Sequence, residues 1–360
     1  MAAAMIFHAA GQRLERVEVP PRPPQGGEIA VRILCCTLCK SDLQTFSGNR
    51  NEATPTVLGH EVVGRIIEFG PQAVAMDSNG EPARVGDRIS WAVVASCGGC
   101  FNCRHDLPQK CDTGYKYGHR ATTLTTADGG GLAERMMLRS GTAWFRVPES
   151  IPDAVAAIAN CATATVSAML RTAGALKQRS ILILGAGTLG LTASAMAAAN
   201  GATAVIVVDP SEEARERALR FGATHVLAMT DLHTIHEWTH GRGVDVAFEL
   251  AGNASSVQSA LQAVRTGGTV VLAGTVSPTP PIPLDAEQFV RRQLTLHGVH
   301  NYHPRDLGTA LAFLAGDGAS YPFASLIAGT FALDEADAAF RFALDHPGVR
   351  VAVTPLAELS

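Results

Sequence analysis

Hydrophobic positions in the first part of the chain form short runs that glycine and proline interrupt. The runs IAVRIL and VVGRIIEFG lie between Ile29 and Gly70, and VGDRISWAVVA follows from Val85 to Ala95. Short β-branched runs separated by such residues are typical of strands joined by tight turns, and helical periodicity is scarce here. The pattern predicts a small, irregular antiparallel barrel.

After Pro148, uniformly apolar segments alternate with Ala-rich helical stretches. The predicted strands are ILILG (181–185), AVIVVD (204–209), HVLA (225–228), VDVAFEL (244–250), TVVLAG (269–274) and LTLHGVH (294–300). Strands that are apolar on both faces need cover on both sides, so this alternation predicts an α/β fold with a doubly wound parallel sheet. The helical pattern DLGTALAFLAG and the closing strand VRVAVTP are expected to return to the first domain. We therefore expect one domain from 1–150 and 300–360 and a second from 151–299.

Composition narrows the function classes. The chain has 360 residues, of which 47% are hydrophobic and 17% charged, with a net charge of -4. These values favour a globular protein and disfavour nucleic acid as a partner. The N-terminal residues lack a signal-peptide pattern, and no window is expected to reach the roughly 18 to 20 apolar residues that cross a bilayer. We expect a cytoplasmic protein with no membrane partner.

Four cysteines stand close together as C-x2-C-x2-C-x7-C, at Cys97, Cys100, Cys103 and Cys111. Two-residue gaps allow successive sulfurs to converge on one tetrahedral metal ion. Disulfides and unrelated surface cysteines are the alternatives, but disulfides need an oxidising compartment. The spacing predicts a zinc-binding lobe over 95–113. Because four protein ligands leave no open position, this zinc is expected to be structural.

A glycine motif follows the predicted strand ILIL. Gly185, Gly187 and Gly190 form G-x-G-x-x-G at the start of the Ala-rich helix, with Thr188 and Leu189 between the last two glycines. These glycines permit a tight turn, close approach of the backbone to a pyrophosphate, and close packing of helix on strand. The alternative is a glycine-rich turn without a ligand. The context predicts that all five residues bind a dinucleotide.

Asp209 ends the next predicted strand. Its carboxylate can accept hydrogen bonds from ribose hydroxyls and would repel a 2′-phosphate, which favours NAD over NADP. Two readings remain open: Asp209 could only cap the helix that follows Pro210, and Arg215 or Arg217 could temper the preference.

A second set of soft metal ligands is scattered along the chain at Cys39, His60 and Cys161, in CKSD, GHE and NCATAT. Three protein ligands would leave a fourth position open to a substrate oxygen. Buried cysteines and histidines are also common in protein cores, so spacing alone leaves both readings open. Cys36 and Cys39 form a C-x-x-C, but they follow a strand rather than open a helix, as a redox pair would.

These motifs together resemble a known family. GHEVVGRI after Cys39, the four-cysteine lobe, and GAGTLG with Asp209 are similar in kind and order to the zinc-dependent medium-chain alcohol dehydrogenases. The resemblance covers essentially the whole chain. It implies a GroES-like β-barrel catalytic domain, a Rossmann coenzyme domain, two zinc ions per chain, and reversible NAD-linked oxidation of small alcohols to aldehydes or ketones.

The resemblance also implies roles for individual residues. Cys39, His60 and Cys161 match the ligands of the catalytic zinc, Glu61 matches a carboxylate that transiently approaches the metal, and Asp42 would orient His60. The hydroxyl that takes the alcohol's proton would be that of Ser41, and Lys40 and Thr165 would contact the pyrophosphate and the nicotinamide.

Three positions depart from relatives. Gln44 stands where many have a histidine that passes the proton to solvent, so the relay would end at the ribose and water. Asn160 and Asn301 stand where polyol-oxidising relatives have a glutamate ligand and a substrate-binding arginine. Sorbitol and threonine are thereby made less suitable as substrates.

The substrate is the least determined property. LPQKC with KYGH, NCATAT, and GVHNYHPRDL with YPFASL resemble the subgroup of alcohol dehydrogenases associated with phosphonate catabolism, which implies a hydroxyalkyl phosphonate. Binding this anion requires a cation, and the possible cations are Lys116, His119, Arg135, Arg291, Arg292, His300 and His303. Trp91 and Val93, where the family builds its pocket wall, suit an apolar cyclic or terpenoid alcohol instead.

Two other classes remain: a non-catalytic nucleotide-binding protein, and an NADPH-dependent reductase without catalytic zinc. The ligand set and Asp209 disfavour both. The segment LTLHGVH is expected at the edge of the second sheet, where an exposed apolar strand favours pairing with another copy, so we expect a homodimer or homotetramer.

Overall fold

The computed structural model describes residues 1–123 and 126–355. The chain divides into two compact units. The first comprises Met1–Ala164, His303–Ala315 and Phe323–Ser360, and the second comprises Thr165–Tyr302 and Gly316–Pro322. The boundaries lie at Ala164 and His303 rather than at 150 and 300. The first boundary falls inside a helical stretch that no glycine or proline marks.

Strands form the sheets of both units. In chain order, the strands of the described residues are β1 (Ala2–Phe7), β2 (Glu15–Val19), β3 (Ile29–Thr37), β4 (Thr56–Val57), β5 (Glu61–Phe69), β6 (Arg88–Trp91), β7 (Val94–Ala95), β8 (Tyr115–Lys116), β9 (Arg135–Leu138), β10 (Trp144–Arg146), β11 (Ser180–Leu184), β12 (Ala204–Val208), β13 (His225–Leu227), β14 (Val244–Glu249), β15 (Val264–Leu272), β16 (Thr295–Gly298), β17 (Ile327–Ala332) and β18 (Arg350–Thr354).

Helices occur in both units. The α-helices of the described residues are α1 (Lys40–Phe46), α2 (Phe101–Arg104), α3 (Asp153–Ile158), α4 (Ala164–Ala173), α5 (Thr188–Ala199), α6 (Glu212–Arg220), α7 (Leu232–Trp238), α8 (Ala254–Ala263), α9 (Ala286–Arg291), α10 (Pro304–Ala315) and α11 (Ala336–Asp345). A π-helical turn, Ala159–Thr163, joins α3 to α4.

The first unit is built on a seven-stranded sheet in which β10, β6, β5, β3, β18 and β17 lie side by side, with β9 also paired to β3. All its pairs are antiparallel except β17 with β18. Its inward side chains, among them Ile33, Ile66, Ile89 and Trp91, are fully buried in one core. The expected GroES-like β domain is confirmed, and VRVAVTP returns to it as β18.

The second unit contains a parallel six-stranded sheet in the order β13-β12-β11-β14-β15-β16. This is the strand order of a Rossmann fold, which binds a dinucleotide at the carboxyl ends of the central strands. Leu182, Ile206 and Val270 pack in its core without exposed surface. The doubly wound sheet is confirmed, and LTLHGVH contains its edge strand β16.

One expectation about apolar windows is wrong. The helical stretch Asp153–Ala173 is long and apolar enough to cross a membrane by length and composition. However, 83% of its most apolar window is buried inside the protein, which is typical of a core helix. The sequence could not make this distinction, because a core helix and a membrane helix share the same composition.

Candidate metal and dinucleotide sites

Cys39, His60 and Cys161 each bring one ligand atom to a common place, with all three atoms within 4.8 Å of one another. Cys39 precedes α1, His60 precedes β5, and Cys161 lies in the π-helical turn. The two sulfurs are 4.0 Å apart. Thiolates bound to one tetrahedral zinc, each about 2.3 Å from the metal, lie about 3.8 Å from each other. The three residues therefore fit a zinc ion and leave one position open.

Asp42 fixes the orientation of His60. Its Oδ1 lies 3.1 Å from Nδ1 of His60 and accepts a hydrogen bond from the backbone N–H of Gly59, and its Oδ2 accepts one from the N–H of Cys39. The carboxylate is buried. Burial lowers the pKa of His60, but the charge and hydrogen bond of Asp42 raise it to about 10. Asp42 thus occupies Nδ1 and leaves Nε2 of the imidazole for a metal.

The two cysteines of this site differ in acidity. A hydrogen bond from Cys161 holds the pKa of Cys39 well below its usual range, against the effect of burial, and the same bond raises the pKa of Cys161. Nη2 of Arg350 lies 3.7 Å from Sγ of Cys39 and favours the thiolate there. The pair therefore carries a thiolate, which is the form that binds metal.

Glu61 binds Arg350. Its carboxylate accepts hydrogen bonds from Oγ1 of Thr37 (2.7 Å), Nε of Arg350 (2.8 Å) and Nη2 of Arg350 (2.9 Å). Burial raises the pKa of Glu61 to about 7, although Arg350 opposes this shift. Sequence reasoning missed Arg350. The available signal was a single cation at the start of the apolar strand VRVAVTP.

The residues beside these ligands are placed as follows. Oγ of Ser41 lies 3.5 Å from Nε2 of His60, so the hydroxyl is next to the ligand set. Lys40 is exposed at the start of α1 in the first unit, and Thr165 is half-buried in α4, in the second unit. Gln44 is half-buried, and its backbone carbonyl accepts hydrogen bonds from Asn49 and Arg50.

Asn160 and Trp91 are structural in this protein. Oδ1 of Asn160 accepts a hydrogen bond from the N–H of Val62, and its Nδ2 donates to the carbonyl of Trp91. The buried amide thereby joins β5 to β6 next to the metal ligands. Trp91 belongs to the hydrophobic core of the first unit and has no exposed surface. The expectation that Trp91 forms a pocket wall is wrong, because its ring fills the sheet core.

The four cysteines of the lobe also converge. Sγ of Cys97 lies 4.0 Å from that of Cys103, and Sγ of Cys100 lies 3.9 Å from that of Cys111, with all four within 4.8 Å. Hydrogen bonds from the backbone N–H groups of Gly99 and Cys100 lower the pKa of Cys97 to about 6. Four sulfurs at tetrahedral spacing fit a zinc without an open position. None of the chain's eight cysteines is in a disulfide.

The glycine motif lies between β11 and α5. Gly185 has φ +102°, a conformation that glycine favours, and a Cβ at Gly190 would lie 1.9 Å from the carbonyl oxygen of Gly185. Gly187 caps α5, whose first residues are Thr188 and Leu189. The loop and the N-terminus of this helix form a cradle that fits a pyrophosphate.

Asp209 directly follows β12 and is tied to the glycine loop. Its Oδ2 accepts a hydrogen bond from the N–H of Ala186 (2.8 Å), and its Oδ1 accepts one from Ser211 (2.9 Å). Nη1 of Arg215 donates to the carbonyls of Asp209 and Pro210. The carboxylate is thus held at the end of the strand, and backbone oxygens engage the arginine.

Comparisons with known proteins found relatives over most of the chain. Residues 25–149 match the alcohol dehydrogenase GroES-like domain, and residues 188–316 match the zinc-binding dehydrogenase domain. The chain is 31% identical to L-threonine 3-dehydrogenase of Pyrococcus horikoshii over 83% of each protein, and 28% identical to 5-exo-hydroxycamphor dehydrogenase of Pseudomonas putida over 91% of each. The crystal structure of an alcohol dehydrogenase from Thermotoga maritima superposes with a TM-score of 0.91 at 28% identity, covering 99% of both chains.

Proposed function

Because the chain belongs to the zinc-binding medium-chain alcohol dehydrogenase family, we propose that it oxidises an alcohol reversibly to an aldehyde or ketone with NAD and two zinc ions per chain. The observation that carries this proposal is the convergence of Cys39, His60 and Cys161 beside Ser41. When bound, zinc lowers the pKa of the alcohol and NAD accepts the hydride from its carbon.

The protein's own groups hold the ligands and move the proton. Ser41 accepts the proton of the alcohol hydroxyl. The distance of 3.5 Å between Oγ of Ser41 and Nε2 of His60 supports this role, because it places the hydroxyl next to the ligand set. Asp42 keeps that imidazole in place through Nδ1. The amide of Gln44 cannot act as a base, so Ser41 would pass its own hydroxyl proton to the ribose of a bound coenzyme and on to water. Glu61 would approach a bound metal only after its carboxylate leaves Arg350.

The preference for NAD is supported by Asp209, whose negative charge lies at the end of β12 beside the glycine loop. A 2′-phosphate would bring about two further negative charges to this carboxylate. Lys40 and Thr165 complete the proposed coenzyme contacts, at the pyrophosphate and the nicotinamide. Arg215 does not offset Asp209 in this proposal, because its Nη1 donates to two backbone carbonyls.

For the substrate, we propose a hydroxyalkyl phosphonate. An apolar cyclic secondary alcohol is the second candidate, and the similarity to a hydroxycamphor dehydrogenase favours it. Threonine and sorbitol are the substrates named for other relatives. The polyol class is disfavoured because the side chain of Asn160 is committed to Val62 and Trp91.

The same proposal includes a homodimer or homotetramer in the cytoplasm. All four residues of the edge strand β16 are exposed, and it pairs only with β15 among the described strands. An unpaired edge favours continuation of the sheet across a twofold axis. A reducing compartment keeps both cysteine sets available to metal.

Zinc content and NADH formation on a panel of alcohols test the function together. Two zinc ions per chain with alcohol-dependent NADH formation are expected. One zinc per chain without turnover would favour a non-catalytic nucleotide-binding protein, and one zinc with NADPH-dependent reduction would favour a reductase on the same fold.

A further inference from the structure

Four polar side chains of the first unit form a group next to the Cys39, His60 and Cys161 site. Arg50 binds Glu52 at 2.7 Å, and Nδ1 of His119 lies 2.9 Å from the same carboxylate. The ring of His119 packs against the ring of His60, with centroids 4.9 Å apart. The fourth member is Lys116, whose backbone carbonyl accepts a hydrogen bond from the N–H of His119. We call these four residues the Lys116 cluster.

The backbone holds this cluster against the metal ligands. Lys116 pairs with Val94 between β8 and β7, and a turn closes from the N–H of His119 to the carbonyl of Lys116. Gly118, inside the turn, has φ +74°, and a Cβ there would lie 2.7 Å from the carbonyl oxygen of Gly59. Only glycine permits this close approach to the residue before His60. The cluster is therefore a fixed neighbour of the ligand set.

The charges of the cluster do not cancel. The single carboxylate of Glu52 is shared by Arg50 and His119, so it already has two partners. Lys116 is half-buried, and its ammonium has no hydrogen bond or ion pair with any described side chain. Burial and the charge of Arg50 lower its pKa, and the charges of Cys161 and Glu52 oppose this. The cluster therefore has one carboxylate for the two cations Arg50 and Lys116, and one positive charge remains uncompensated in the turn that leads to His119.

The other cations singled out from the sequence are placed differently. Arg291, Arg292 and His300 belong to the second unit, where Arg291 binds Glu287 and Arg292 binds backbone carbonyls. His303 lies 3.3 Å from Asp106, and Arg135 is exposed on β9. Among the candidate cations in the described part of the first unit, Lys116 is thus the one that is half-buried and whose side chain has no hydrogen bond or ion pair.

We propose that Lys116 binds an oxyanion at the far end of the substrate, a phosphonate or a carboxylate carried on the same short chain as the reacting hydroxyl. The inference rests on the proposed function and deepens it by making Lys116 the specificity-determining residue. An oxyanion supplies the partner that a partly desolvated ammonium lacks, whereas an apolar cyclic alcohol would leave the charge unpaired at a cost.

Kinetics on matched alcohols test the assignment. The probes are hydroxyethylphosphonate, hydroxypropionate and propanol, with wild type, Lys116→Met, Lys116→Arg and the exposed-lysine control Lys177→Met. Loss of a charge-assisted hydrogen bond is expected to raise the KM of the anionic alcohols about 10- to 100-fold in Lys116→Met. Turnover of propanol should not change, and Lys116→Arg should restore most of the loss. An equal loss on propanol, or none on the anions, would overturn the proposal. Whichever of hydroxyethylphosphonate and hydroxypropionate has the lower KM with the wild type identifies the anionic group that Lys116 binds.

Binding without turnover separates this inference from the proposed function. Propylphosphonate, which has no hydroxyl to oxidise, is titrated by calorimetry into the zinc-loaded protein with NADH. Wild type is expected to bind it and Lys116→Met to bind it more weakly by the same factor. If wild type binds the anion but oxidises no alcohol, the dehydrogenase assignment fails and Lys116 stands. If propanol is oxidised but no propylphosphonate binds, the Lys116 assignment fails.

Discussion

Arg350 holds the carboxylate of Glu61 by two hydrogen bonds, at 2.8 and 2.9 Å, inside the first unit. Glu61 has no exposed surface, and Arg350 is 7% exposed. The two residues are far apart in the chain, on β5 and β18, so the closing strand completes the surroundings of the metal ligands. Because both charges are buried, each depends on the other for compensation.

Removing one partner of this pair should destabilise the protein strongly. Arg350→Met leaves Glu61 buried without its counter-charge, and we expect the free energy of unfolding to fall by about 3 to 5 kcal/mol. Urea denaturation measures this free energy of unfolding, and Arg341→Met, a substitution of an exposed arginine, is the control. The double variant Glu61→Gln/Arg350→Met should recover much of the loss, since no uncompensated charge remains. Equal stability of Arg350→Met and the control would contradict this account.

The two proposed zinc sites should be lost independently. Cys100→Ser removes a ligand from the exposed lobe, so the zinc content is expected to fall from two to one per chain while the second zinc remains. Cys161→Ala should also reduce the content to one, at the other site. Metal analysis after gel filtration gives the stoichiometry. Loss of both ions from either variant would show that the sites are coupled.

Gly190 should tolerate no side chain. A Cβ 1.9 Å from the oxygen of Gly185 must displace the loop that is proposed to bind the pyrophosphate. Gly190→Ala is therefore expected to weaken NADH binding at least about tenfold, measured by NADH fluorescence. Gly298→Ala is the matched control, because a Cβ there would meet nothing within 4 Å. Unchanged affinity in Gly190→Ala would remove the loop from the coenzyme site.

Coenzyme choice should follow the charge of Asp209. Wild type is expected to bind NADH more tightly than NADPH, because the carboxylate repels a 2′-phosphate. Asp209→Ser should lower the ratio of the dissociation constant for NADPH to that for NADH by about tenfold or more. Tighter binding of NADPH by the wild type would mean that Arg215 leaves its backbone carbonyls and dominates the site.

The parts that were predictable from sequence carry local signals. The alternation of apolar strands and helical stretches after Pro148 predicted the parallel sheet. The close spacing of Cys97, Cys100, Cys103 and Cys111 predicted that their sulfurs converge within one short segment. Other parts depend on distant contacts. The pairing of Arg350 with Glu61 joins strands that are not neighbours in sequence. The burial of Trp91 depends on the strands that surround it in the folded sheet, so the sequence did not distinguish a core residue from a residue of the pocket wall.

The apolar stretch Asp153–Ala173 also could not be interpreted from sequence alone, because only packing distinguishes a core helix from a membrane helix. Lys116 was one of seven possible cations in the sequence. Its fixed turn and its lack of an ion-pair partner distinguish it, and both are properties of the folded chain.

The most direct test of the central claim compares two neighbouring cysteines. Cys39 is a proposed zinc ligand, whereas Cys35 is a buried thiol in β3, where burial raises its pKa to about 12. NADH formation from the best alcohol is measured for Cys39→Ala and Cys35→Ala, with zinc content determined on the same samples. We expect Cys39→Ala to lose one zinc per chain and its turnover, and Cys35→Ala to keep both. Turnover retained in Cys39→Ala would contradict the account.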